Sequence, residues 1–594
     1  MCAINGFNFK DDHLLKKMSS ITGSRGPDNE GFYSSNNFSL SHNRLAIIDP
    51  TPKSNQPYYY KELILSFNGE IYNYKQLKKK LENKGHNFFT NSDTEVVIRL
   101  FKEYGINSFK MLSGIFSIAL YDKYKDLLYL SRDVVGVKPL YYYFDLHKKL
   151  FFFSSLIKPI LLSVTSKSIN KASILSYSNF NRNDLRETYF KDIFKLLPGE
   201  VLIFDNQKKE ISKSQLLKFD FKYDFNRKDL RKNINNIFSN QFISDVPIAL
   251  SLSGGIDSNL IFSELIKSKN NNFNCYSVFF SDSEKFSIDF KIADKICKKN
   301  NIDLMPVEVS SKDFIDYSEK VVNIVEEPVG NSNSIANYIL SKKVKEKVLF
   351  SGDGGDEIFT GYKRYKSIYF INLMNKFNPL RFLNINTNIK NINRFFMKNS
   401  RDMYLTFSEQ NLFKSQKNVY KNFRYLNYRD LNGMLNHSKS FDKNKLSNVM
   451  FHDLDTWIPN DILLRNDKIY AHSGIEVRVP FLDKQIIENY LMINEFNKYG
   501  PFFNYKHMIT KEFKELQTIN KSKLGFNSPF ASWLRNQIFD YAKSILSKDY
   551  YDSSEILNLD NCQNLLNLHK KNYFDPYLIW NLINIQIFLR EFRL

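Results

Sequence analysis

Cysteine is scarce: four in 594 residues, at positions 2, 275, 297 and 562, with no Cys-x-x-Cys pair. That spacing argues against a disulfide framework and a structural zinc site, and it fits a reducing cytoplasm. No uninterrupted apolar run reaches the ~18 residues that span a bilayer. The Phe-rich stretch from Leu150 to Val164 is cut by Ser154, Ser155 and Lys158, so no membrane partner is expected. No secretory signal precedes Cys2, and no repeat of fixed period is present. Glycine and alanine are few, whereas Lys, Asn, Ile, Phe and Tyr abound.

The formal charge of +21 is the kind of balance that attracts nucleic acid. The lysines form no long tract, however, and the bias pervades the chain, so compositional drift accounts for it. No nucleic-acid partner is expected, although the positive field favours an anionic nucleotide. Hydrophobic residues at 43% and charged residues at 25% indicate a soluble globular chain. Its length calls for two or more domains.

The chain begins Met-Cys. Removal of Met1 would leave Cys2 with its own α-amine beside its thiol, a base and a nucleophile in one residue. Ser24-Arg25-Gly26-Pro27-Asp28, Asn43 to Asp49, Phe67 to Asn73 and Ser92-Asp93-Thr94-Glu95 follow in order. With Cys2 they resemble the glutaminase domain of the class II glutamine amidotransferases, N-terminal-nucleophile hydrolases with an α/β/β/α four-layer sandwich. Ala3 stands where that family usually has Gly. Gly114 to Asp122 and Ser131 to Tyr142 continue the resemblance and read as core strand and turn.

The domain is expected over residues 2–205. The charged, aperiodic 206–228 reads as a linker, and residues 229–594 as a second domain. There, short β runs alternate with helical patterns, which predicts a parallel sheet flanked by helices. Leu63 to Phe67, Ile115 to Tyr121, Asp245 to Leu252 and Lys347 to Phe350 read as strands. Lys75 to Asn83, Asp229 to Phe242 and a segment from Asn259 read as helices. Helices are expected to dominate beyond Asn448. Asn375 to Asp402 gives no clear reading, and the last ~50 residues add little.

The strand ending at Leu252 runs into Ser253-Gly254-Gly255-Ile256-Asp257-Ser258. A glycine-rich turn between strand and helix offers backbone N–H groups and a helix N-terminus to an anion. No Gly-Lys-Ser/Thr follows, so this is not a Walker-type loop. The second such loop, Ser351-Gly352-Asp353-Gly354-Gly355-Asp356-Glu357, crowds three carboxylates. They would repel one another without a cation or ligand, which points to Mg²⁺–nucleotide. The first loop resembles that of the ATP pyrophosphatases. Glu327-Pro328, Glu476 to Asp483, Lys506 to Ile509 and Lys521 to Phe526 extend the resemblance to the glutamine-hydrolysing asparagine synthetases over about residues 230 to 540.

The resemblance implies roles. Cys2 would attack the glutamine amide and form a γ-glutamyl thioester. Asn68 and the N–H of Gly69 would form the oxyanion hole. Arg44, Glu70 and Asp93 would hold the α-carboxylate and α-amine of glutamine, with Ile47 and Ile48 lining the pocket through their backbone. Leu252, Val278, Ser351 and Gly352 would contact ATP. Ser253, Gly254, Gly255, Asp257 and Ser258 belong to the loop that would hold pyrophosphate, and Asp257 and Asp356 would hold Mg²⁺. Asp353 would act as base and Lys506 would stabilise developing charge. Thr510 stands where the family often has Arg, so a local contact must differ. The implied reaction turns glutamine, ATP and aspartate into asparagine, glutamate, AMP and pyrophosphate. The alternatives are another carboxylate acceptor (a sugar uronic acid, a peptide or a small acid), a tRNA-modifying protein, or a non-catalytic scaffold. A homodimer is left open.

Overall fold

The computed structural model describes residues 1–164, 167–222, 227–268, 273–377, 419, 446–516, 528–571 and 576–594. The unreadable stretch lies outside the described residues from residue 378 onward, as does Lys521 to Phe526.

Alternating apolar residues in the N-terminal half build twelve strands: β1 (Ala3–Phe7), β2 (Asn29–Ser34), β3 (Ser39–Arg44), β4 (Tyr58–Tyr60), β5 (Leu63–Ile71), β6 (Gly114–Asp122), β7 (Leu127–Arg132), β8 (Tyr141–Asp145), β9 (Leu150–Ser154), β10 (Ile193–Lys195), β11 (Glu200–Asp205) and β12 (Glu210–Gln215). They form two antiparallel sheets, ordered β10-β8-β9-β1-β3-β2 and β12-β11-β7-β6-β5-β4. Ile4, Leu40 and Phe153 of one sheet meet Ile64, Leu130 and Phe204 of the other in a dry layer. Helices α1 (Asp12–Thr22), α2 (Tyr74–Glu82) and α3 (Asp93–Tyr104) cover the outer faces with α4 (Ile157–Leu161), completing the four layers. A further helix, α5 (Lys171–Phe180), follows them.

The C-terminal half holds a fully parallel sheet of β13 (Ile248–Ser251), β14 (Phe273–Phe280), β15 (Leu304–Val309), β16 (Val348–Phe350) and β17 (Glu476–Arg478). Its order is β15-β14-β13-β16-β17. Helices α6 (Arg227–Gln241), α7 (Ile256–Lys267), α8 (Ile288–Lys299), α9 (Ser311–Val325) and α10 (Asn333–Lys343) accompany it. The short α11 (Gly355–Phe359) follows β16. The chain runs outward from β13 in both directions, so the loops after β13 and β16 flank the point where strand order reverses. Ligands of open α/β sheets bind at that crevice.

Three readings need correction. The stretch read as connection contains β12, paired antiparallel along β11. Its side chains are mostly exposed, so a charged edge strand lacked the apolar alternation that reveals buried ones. Helix α7 starts at Ile256, inside the glycine loop, rather than at Asn259. The strand expected from Asp245 begins only at Ile248, because Pro247 has no N–H for a ladder.

The last residues also matter to the fold. The helix Pro576–Phe592 is apolar along most of its length and buried. Phe588 and Phe592 meet Phe190 edge to face, and Phe588 meets Tyr189. This helix also packs on α9, so it joins the two halves. A buried ion pair reinforces the join. Glu326, at the end of α9, accepts hydrogen bonds from the N–H groups of Ile157 and Lys158 at 2.8 Å each, and from Lys468 at 3.0 Å.

Candidate active sites

Cys2 precedes β1, whose Ala3 pairs with Asn43 of β3. That register sets the thiol beside the end of β3. Leu45 donates its N–H to Cys2 Sγ at 3.4 Å. Burial raises the thiol pKa, while the neighbouring amine, the Leu45 backbone and Arg44 lower it. Burial pushes the Met1 amine down to about 5. Met1 is itself buried, its sulfur against Lys138 and Arg25.

Asn68 and Gly69 lie on β5 opposite Ser117 and Phe116. Gly69 has φ +143°, and a Cβ there would meet the Ile115 carbonyl at 1.9 Å. Only glycine fits. The preceding residue is clamped. Phe67 donates its N–H to Gln56 Oε1 at 2.6 Å, and its carbonyl lies 3.0 Å from His42 Nε2. Asn68 makes one long amide contact, 3.5 Å to Ser117.

Glu70 follows on the same strand. Asp93 opens α3, which Ser92 caps, and accepts the N–H of Ile71 at 3.0 Å. Both carboxyls are displaced upward by burial, Asp93 to about 6 and Glu70 well above the usual range, with Glu476 adding repulsion to each. Arg44 spends both terminal nitrogens on the loop after β3, donating to the carbonyls of Ile48, Asp49 and Thr51 and to Asn55. In this structure it shapes the loop of Ile47 and Ile48. That loop reaches the other half: the N–H of Asp245 donates to the Ile47 carbonyl at 3.2 Å, and Asp49 N–H donates to the Asp245 carboxylate at 2.8 Å.

In the second site, Leu252 extends the sheet by donating its N–H to the Tyr276 carbonyl at 2.8 Å. Val278 is half-buried, on the adjacent β14. Ser258 Oγ accepts the N–H of Ser253 at 3.1 Å, and Gly255 N–H donates to Ser253 Oγ at 3.2 Å. Asn259 clasps the carbonyls of Ser253 and Gly255. The loop is thus shaped before any ligand arrives, with the N-terminus of α7 behind it. The two glycine loops touch. A Cβ at Gly355 would meet Asp257 Oδ1 at 2.4 Å, and one at Gly352 would meet Ser258 N at 3.1 Å.

The loop carboxylates have separate settings. Asp353 accepts from Ser351 Oγ and Asn466 Nδ2, each at 2.9 Å. Glu357 is buried, raised to about 8 by burial and by Asp356, and held by the Tyr362 hydroxyl. Asp257 and Asp356 both bind Lys506 Nζ. Two carboxylate oxygens therefore converge on one cation. This hard donor set suits Mg²⁺, which takes one or two carboxylates plus phosphate oxygens and water. Among the described residues, no cluster of three or more His, Cys, Asp or Glu forms a metal site by itself. Thr510 bonds the backbone of its own helix at Lys506 and His507.

The structure thus gathers Cys2, Asn68, Gly69, Glu70 and Asp93 around β1, β3 and β5, and Asp257, Ser351, Asp353, Asp356 and Lys506 around the second sheet. The sequence reading assigned no role to Lys138, Arg478 or Asn466. Lys138 was read as part of a core turn. That turn is there: Asp133 accepts N–H groups from Val135, Gly136, Val137 and Lys138. Its lysine is nevertheless fully buried, 3.7 Å from Glu476 of the other half. A charge conserving no local partner in a turn was the only hint available.

Residues 1–215 match the glutamine amidotransferase domain model, and residues 229–590 the asparagine synthase model. The glutamine-hydrolysing asparagine synthetase 1 of Bacillus subtilis is 27% identical over 97% of this chain and 94% of its own length. Asparagine synthetase B of Escherichia coli is 29% identical over 61% of this chain and 65% of its own. Amidase chry2 of Gibberella zeae is 29% identical over 58% of this chain and 54% of its own. No helix among the described residues is long and apolar enough to cross a membrane.

Proposed function

Because the chain belongs to the asparagine synthase family and carries a glutamine amidotransferase domain, we propose that it makes asparagine from aspartate, taking nitrogen from glutamine and energy from ATP. The single observation behind this is the presence of both sites in one rigid frame: a thiol beside an Asn-Gly strand, and two glycine loops at the reversal point of a parallel sheet.

In the first half, Met1 is removed and the amine of Cys2 takes the proton of its thiol. The thiolate attacks the glutamine amide. Asn68 Nδ2 and the Gly69 N–H receive the developing oxyanion. Glu70 and Asp93 hold the α-ammonium. Arg44 serves the α-carboxylate, directly or through the Ile47–Ile48 loop that it shapes. The Cys2 amine returns the proton to the amide nitrogen, neutral ammonia leaves as the γ-glutamyl thioester forms, and water then hydrolyses the thioester to glutamate.

In the second half, Leu252, Val278, Ser351 and Gly352 hold the adenosine portion of ATP. The Ser253–Ser258 loop holds the β- and γ-phosphates with backbone donors. Asp257 and Asp356 are the residues that would hold Mg²⁺, which supplies charge neutralisation at the phosphates. The aspartate carboxylate displaces pyrophosphate and forms an acyl adenylate, while Lys506 stabilises the charge that develops. Asp353 takes a proton from the attacking ammonia, and AMP departs. With β12 included in the first, residues 2–215 and 229–594 are the proposed working units.

The test uses mature protein with glutamine labelled with ¹⁵N in its amide, aspartate and MgATP. Labelled asparagine should form with one AMP per amide. ADP as product, or label that never reaches asparagine while adenylate turns over, overturns the reading. Amide formation on another acid, with none on aspartate, would overturn only the acceptor.

A further inference from the structure

Glu70 and Asp93 lie in a buried patch with a third carboxylate, Glu476, from the opposite half of the chain. Like charges in a water-poor site raise one another's energy and favour protonation. A protonated carboxyl cannot pair with an ammonium ion. A fixed positive charge beside Glu70 pulls against that rise and favours the charged form, although burial and Glu476 still leave the carboxyl well above its usual range.

Arg478 supplies it. Its side chain is fully buried at the end of β17. Nη1 donates to the carbonyls of Gln241 and Ile243, both at 2.6 Å, and Nε donates to Glu476 at 2.9 Å. Three anchors leave Nη2, which lies 3.3 Å from Glu70 Oε2. The Tyr72 ring flanks the guanidinium, 5.7 Å away. Among the described residues, this is the one ion pair of Glu70. The Arg478 carbonyl meanwhile accepts the N–H of Ser351 at 3.0 Å, the first residue of the second loop.

We propose that Arg478 is a positioning residue of the glutamine site, by which the synthetase half aims Glu70 at the substrate α-ammonium and favours its charged form. This rests on the reading of Glu70 as an α-amine ligand. The glutaminase pocket is then incomplete without a side chain that lies about four hundred residues further along.

The experiment compares glutamine with 4-carbamoylbutanoate, the same amide without its α-amine, as substrates for hydrolysis by the full-length enzyme. In Arg478→Met, the KM for glutamine should rise about tenfold or more. Its kcat should change less than about threefold, and the KM for 4-carbamoylbutanoate less than about twofold. Arg478→Lys keeps the charge without the fork and should show a smaller rise, again only for glutamine. Ammonia-dependent AMP formation reports whether each variant is folded. Equal losses on both substrates, or an unchanged KM for glutamine in a variant that retains this activity, would overturn the proposal. Loss of ammonia-dependent turnover in both variants would assign Arg478 to the fold and overturn it too. A parent enzyme that hydrolyses no glutamine would instead remove the reading of the site beneath it.

Discussion

In the N-terminal half, Glu70 and Asp93 are sealed between sheet and helix, and burial drives both carboxyls upward. In the C-terminal half, Asp353 and Asp356 are half-buried at the ends of parallel strands and are surrounded by hydroxyl, amide and ammonium donors. On the proposed reading, the antiparallel sandwich would recognise a small zwitterion with a few buried charges. The parallel sheet would offer a polyanion and its cation a crevice rich in backbone donors. Each architecture supplies the dielectric setting that its chemistry requires.

The division is broken most directly at the thiol. Cys2→Ala should lower glutamine-dependent amide formation at least about 10⁴-fold, while synthesis from added ammonia persists. Asp356→Asn should do the reverse, lowering AMP formation from either nitrogen source and sparing glutamine hydrolysis. Steady-state assays with each nitrogen source check both. A loss of both activities in either variant would mean that the two sites are one.

The motifs were legible where backbone geometry is local. Gly69 is forced by a contact that no Cβ tolerates, and Gly352 and Gly355 sit in tight contact with the other loop, so Asn68-Gly69 and the two loops announce themselves in the sequence. Strands β5, β6 and β16 were readable for a similar reason, since each is a short, buried, β-branched or aromatic run. The join between halves was not. Glu326 meets the N–H groups of Ile157 and Lys158, and Arg478 meets Glu70, across long stretches of sequence. No periodicity records such a pairing. β12 was missed because an exposed edge strand has no apolar alternation; the C-terminal helix falls where helices were expected, but, buried on most sides, it has no polar face to show which surface it packs.

Glu326, which stands at that join, sets the next prediction. Lys468 is fully buried and bonds Glu326 and the Val325 carbonyl. Lys468→Met strands the Glu326 charge and should cost about 3 kcal/mol or more. Adding Glu326→Gln removes the stranded charge and should recover part of the loss. Urea unfolding followed by tryptophan fluorescence measures both. If the single change cost nothing, the Glu326 charge would be held by the Ile157 and Lys158 N–H groups alone.

The smallest effect tests whether burial acts on carboxyls in the second half as it does in the first. Asp483 caps the helix Lys484–Tyr490 by accepting the Gln485 N–H at 2.8 Å, and it also accepts from Gln241. Burial nevertheless pushes it up to about 6. The folded protein thus keeps a proton that the unfolded chain loses near pH 4. Stability from this group is complete below that pH, and it falls as pH rises through about 6. Asn caps equally well and cannot ionise. Asp483→Asn should therefore change little at pH 4 and stabilise by roughly 1–3 kcal/mol at pH 7.5, read from urea midpoints at the two values. A gain independent of pH would place the effect in packing. A loss at pH 7.5 would mean that the charged carboxylate is favoured there, and the resemblance between the two halves in their treatment of buried acids would fail.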